Sequence, residues 1–81
     1  MLQIVELLLQ HGANVDARDK NQYTPLHFAA QYGQIEVAKL LLDYGANKDL
    51  EDQYGWTPLH IAMYYREGEF QQVVDLLENN N

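Results

Sequence analysis

The chain has 81 residues, 47% of them apolar and 21% charged, with no cysteine. That is ordinary globular composition for one small domain, and it excludes disorder, a disulfide framework and a Cys-based zinc site. Twelve acidic residues against five basic ones give a net charge of −7, which repels phosphate backbones and anionic lipid heads and argues against nucleic acid and membrane as partners.

The apolar opening, Met1 to Leu9, is not a signal peptide: it lacks a basic leader and Glu6 interrupts it. No stretch is long enough to span a bilayer. His11 follows at the end of this helix, where a capping or dipole role suits it, and Gly12 comes next. Thr24-Pro25-Leu26-His27 then announces a helix start. Thr suits the N-cap, and Pro suits N1, where its missing N–H has no partner to lose. This helix runs from Pro25 to about Tyr32, and Gly33 ends it. A second helix follows from about Gln34 to Asp43. Val37, Leu40 and Leu41 form its apolar stripe, Leu42 widens it, and Gly45 closes it. Residues 46–56 are polar and turn-forming. Thr57-Pro58-Leu59-His60 opens the next helix, and Val73, Val74, Leu76 and Leu77 mark the last one. Glu78 and Asn79, Asn80 and Asn81 give the end a polar face.

These elements repeat. Residues 7–14 and 40–47 agree at six of eight positions, the two TPLH blocks lie 33 residues apart, and Asp16 and Asp19 return at the same spacing as Asp49 and Asp52. One unit is helix, tight turn, helix, long turn. Neither helix is long enough to be stable alone, so each unit needs a neighbour to cover its apolar face. Residues 24–47, TPLHFAAQYGQIEVAKLLLDYGAN, resemble an ankyrin repeat throughout. The resemblance covers essentially the whole chain and implies an all-α solenoid of stacked helix-turn-helix units joined by projecting β-turn or hairpin loops.

Met1 aligns with Gln34, so the first unit, 1–18, holds a second helix only. Residues 19–51 form a complete unit and 52–81 a final one, about two and a half in all. The last unit carries three extra residues near Tyr65 to Glu69, read as a longer turn freed by Gly68. Gln22 stands where Gly55 stands one unit later. If that place needs positive φ, Gln22 carries about 1 kcal/mol of strain; otherwise its turn is of another type.

No convergent catalytic or metal set emerges, and no cofactor is implied. His27 and His60 occupy equivalent places a unit apart, and the resemblance gives them a structural role, tying turns together. Thr24, Pro25, Thr57, Pro58, Gly12, Gly33 and Gly45 are likewise structural. The four turn aspartates lack the calcium-loop spacing and suit local backbone bonds. Glu67 and Glu69 read as solvated, and Tyr64–Tyr65 lacks the basic residues of a nucleic-acid stacking platform.

The family generally binds partner proteins through turn tips and the exposed face of the first helices. Carried over one at a time, those positions are Arg18, Lys20, Asn21 and Tyr23 on the first turn and Gln31 and Tyr32 on its helix. On the second turn they are Glu51, Gln53, Tyr54 and Trp56, followed by Met63 and Tyr64 on the next helix. Five of these twelve are Tyr or Trp, good anchors because they bring large area with few rotors to freeze. Pointing away from the leucine stripe, they make an aromatic strip with Tyr54 and Trp56 central; the alternative is that some pack onto neighbouring turns, Tyr23 and Trp56 above all. The expectation is a protein–protein interaction module, not an enzyme, inside the cell, in cytoplasm or nucleus, where the lack of cysteine fits a reducing compartment. The alternative is self-association through the partly uncovered Leu2–Leu9 helix.

Overall fold

A computed structural model describes residues 2–65 and 70–79, and for Phe70 the backbone alone. Five helices follow one another: α1 (Leu2–Gln10), α2 (Pro25–Gln31), α3 (Ile35–Asp43), α4 (Pro58–Tyr65) and α5 (Phe70–Asn79). There is no strand among the described residues, and the long connections are turns. The three-residue insertion read near Tyr65 to Glu69, with Glu67 and Gly68, falls almost wholly outside the described residues.

The helices stand in two layers. α2 packs on α4 in one, α1 on α3 and α3 on α5 in the other, while α2·α3 and α4·α5 close each unit across the layers. The core lies between the layers: Leu26, Ala29 and Ala30 of α2, Val37, Ala38 and Leu41 of α3, Ile61 and Ala62 of α4, Val73, Val74 and Leu77 of α5, with Leu9 of α1 at one end. Alanines on the inner helices let the backbones approach; the leucines and valines of the outer helices fill the gap.

Local chemistry fixes where α2 begins. Thr24 is extended (φ −102°, ψ 167°), and its hydroxyl accepts the His27 N–H. The Thr24 N–H in turn reaches His27 Nδ1 at 3.2 Å, so the histidine takes the part that Glu or Gln plays in a capping box. Thr57 and His60 repeat the arrangement ahead of α4, with Thr57 N–H on His60 Nδ1 at 3.0 Å. Gly33 and Gly45, at φ of 64° and 87°, reverse the chain after α2 and α3. Gln22 has φ 64°, matching Gly55 at 81°, so the two turns share one backbone and Gln22 holds the left-handed conformation.

Candidate functional site

Each long turn is built around one aspartate. The Asp19 carboxylate accepts the N–H groups of Asn21 and Tyr23, and the Asp19 N–H donates to the Tyr23 carbonyl. Asp52 makes the same three bonds with Tyr54 and Trp56. The turns are then joined side by side: Gln53 N–H donates to the Asn21 carbonyl and its side-chain amide to Asn21 Oδ1, while Arg18 donates to the Glu51 carbonyl and Gln22 Oε1. Asn47 N–H donates to Asp16 Oδ1 nearer the base. Stacked units thus hold the tips in register.

His27 fastens turn to helix from beneath. It is fully buried, and its Nε2 lies 2.7 Å from the Trp56 carbonyl. A carbonyl only accepts, so Nε2 carries the proton, and Nδ1 accepts from Thr24, whose hydroxyl is 2.8 Å away. Every polar atom of the ring is satisfied as a neutral imidazole. Burial lowers its pKa below the ordinary 6.5, against a smaller opposing push from the bond to Trp56. His60 is exposed and makes only the within-turn bonds to Thr57 among the described residues.

The structure divides the twelve sequence-predicted binding positions. Asn21, Tyr23, Gln31, Gln53 and Tyr54 converge on a cleft of about 220 Å³ between the two turns and α2, with Asp19 and Asp52 beside them. Tyr54, Trp56, Met63 and Tyr64 border an open groove of about 590 Å³ further along, together with His60. Tyr54 belongs to both and is the most exposed aromatic among the described residues, at 78%. Tyr32 and Arg18 lie apart from these, on a groove between α1 and α2. Lys20 and Glu51 are exposed at the tips.

Tyr23 and Trp56 correct the expectation that all twelve point away from the core. Both are half-buried and pack against it. Each immediately precedes a Thr cap, where the chain dives under the neighbouring helix. Tyr23 stacks on His27 at 4.9 Å, meets Phe28 edge-on at 4.7 Å, and donates its hydroxyl to Gln31 Oε1 at 2.8 Å. Burial, then Tyr65, Asp52, Tyr32 and Asp19, push its pKa up to about 12, so it remains a neutral donor. Trp56 meets Tyr64 edge-on at 5.2 Å, and Tyr64 meets Tyr65 at 5.0 Å.

Sequence reasoning missed Phe28 and Tyr65, both exposed and both part of these aromatic clusters. Phe28 was hidden in the apolar run of α2. Among the described residues no three of His, Asp and Glu gather as metal ligands would, and no helix is long and apolar enough to cross a membrane.

A family model of ankyrin repeats, in three copies, matches residues 1–81. Periodicity alone counts about two and a half. A putative ankyrin repeat protein of fowlpox virus (strain NVSL) is 39% identical over 36 residues, a match covering 44% of this chain and 26% of that protein. The chain thus corresponds to about a quarter of that relative's length.

Proposed function

Because the chain belongs to the ankyrin-repeat family, whose repeats are generally protein–protein interaction modules, we propose that it binds a partner protein along the face made by the two turn tips, α2 and α4. One observation carries the reading: Tyr54 stands 78% exposed where the cleft and the open groove meet. An aromatic ring so placed has no packing duty and gains most from being covered. Half-buried Trp56 and Tyr23 form the floor against which a partner side chain would press. The partner contact is with protein; the chain's charge of −7 disfavours nucleic acid.

A photo-crosslinking residue in place of Tyr54 tests this. It should trap a defined partner that the same group in place of Lys39, exposed on α3, does not trap. With that partner in hand, Tyr54→Ala should weaken binding by at least about 2 kcal/mol with circular dichroism unchanged. Equal trapping from both positions would remove the reading. A second reading, self-association, is favoured by a separate observation: Leu2, Ile4, Leu7 and Leu8 of α1 are all exposed.

A further inference from the structure

The cleft between the two long turns holds about 220 Å³. That is below the roughly 300 Å³ at which small-molecule pockets begin, and it suits one inserted side chain. Three rings line it: Tyr23 from the first turn, Phe28 from α2 and Tyr54 from the second turn. Tyr54 is 78% exposed and Phe28 43%, so both have surface left to cover. Asp19 and Asp52 stand beside them, one carboxylate from each turn, and no cation lines the cleft among the described residues.

One oxygen of each carboxylate is committed to its turn. Oδ1 of Asp19 takes the N–H groups of Asn21 and Tyr23, and Oδ1 of Asp52 takes those of Tyr54 and Trp56. Oδ2 of either accepts no hydrogen bond among the described residues. Arg18 and Lys20 adjoin Asp19 in sequence, but neither pairs with it there. Arg18 donates to the Glu51 carbonyl and to Gln22, and Lys20 stands exposed at the tip, opposite exposed Glu51. The field at the Tyr23 hydroxyl agrees. Burial, then Tyr65, Asp52, Tyr32 and Asp19, push its pKa up to about 12, and every titrating group in that set is an acid. The share that the carboxylates contribute is a field that favours a cation.

We propose that this cleft receives an arginine side chain from a basic segment of the partner protein. The assignment rests on the reading of this face as a protein-binding surface and names the chemistry it selects. A guanidinium is flat and stacks on an aromatic face with a cation–π gain. Its fork of N–H donors supplies the bonds that Oδ2 of Asp19 and Asp52 lack. Lysine would bring the charge without the flat fork. The chain's net charge of −7 adds long-range attraction for a basic segment.

Titration of the full chain with an acetylated, amidated tetra-arginine peptide, followed by NMR at physiological salt, tests this. The tetra-citrulline peptide keeps the shape and drops the charge. Asp19→Asn with Asp52→Asn keeps an Oδ1 acceptor in both turns and removes two charges from the cleft. Glu36→Gln with Asp43→Asn removes the same two charges from exposed positions on α3. Tetra-arginine should shift the ring signals of Tyr23, Phe28 and Tyr54, and tetra-citrulline should not. The dissociation constant should rise about tenfold or more in the cleft variant, the loss of one charge-assisted bond, and less than about twofold in the α3 variant. If the cleft variant fails to fold by circular dichroism, Phe28→Leu carries the comparison, with an expected rise of about threefold from the lost ring face. Equal losses in the two double variants, equal binding of the citrulline peptide, or no binding of tetra-arginine overturns the proposal. If cross-linking at position 54 traps its partner from the cleft variant as fully as from the parent, the arginine assignment fails and the interaction reading stands. If the parent traps no more from position 54 than from position 39, the interaction reading itself fails.

Discussion

Gln22 and Gly55 show how much one backbone angle can carry. Both turns need a left-handed residue there, and only the second supplies glycine. The sequence left two possibilities for Gln22, strain or a different turn, because 33-residue equivalence constrains the place but not its φ. Gly55→Ala should cost about 1 kcal/mol in urea unfolding. A Cβ there meets nothing closer than Glu51 Oε1 at 3.8 Å, so the loss is one of backbone conformation alone. Gln22→Gly should gain less than about 1 kcal/mol, the relieved strain being offset by a freer unfolded chain.

His27 gives a second test at this scale. Its pKa is lower folded than unfolded, so the native state binds fewer protons near neutrality. The stability it brings is complete above the ordinary value of about 6.5 and is lost as pH falls from there through the lowered folded value. Urea midpoints for the parent chain should therefore drop from pH 7 towards pH 5. His27→Gln should flatten that slope and lose about 1–3 kcal/mol at pH 7, from the broken bonds to Trp56 and Thr24. An unchanged slope in the variant would assign the pH dependence to other groups.

At the scale of elements, the helices were legible because their ends are written in residue types with few other uses: Thr-Pro ahead, glycine behind. α2 and α3 begin and end within one residue of where those signals put them. Contacts between elements were harder to read, since they depend on which flank has a neighbour. For Tyr23 and Trp56 the sequence leaves two readings, free turn aromatics or rings packed on their neighbours, and the structure packs both against the core. Phe28 looks like core from its place in the apolar run of α2, yet it is exposed. Lys48 belongs here too: its ammonium donates to the Leu77 carbonyl at 3.1 Å, tying the second turn to the last stretch of α5. A cation there also meets the negative end of the helix. Lys48→Met should cost about 1 kcal/mol and speed hydrogen exchange of the α5 amides while leaving α2 unaffected. Uniform acceleration through all helices would mean that α5 does not open by itself.

For the whole molecule, the period of 33 was enough to predict the stack, because identical units can satisfy their apolar faces only by translation. The surface proposed for binding was less legible. A repeat specifies its own packing twice over, whereas the outward residues answer to a partner that the chain does not encode. Tyr54 is proposed as the anchor on its exposure of 78%, a property that no spacing rule contains.

The cross-unit hydrogen bonds share one property with a kinetic consequence. Asp16 to Asn47, Asn21 to Gln53, Arg18 to Glu51, His27 to Trp56 and Lys48 to Leu77 span 29 to 33 residues each. Every such bond closes a loop of nearly constant size, and the entropy of closure changes only with the logarithm of that size. Growth by further units would repeat the same closure rather than enlarge it. The search for native contacts then stays local however long the array becomes, and the folding barrier is set by one neighbouring pair rather than by total length.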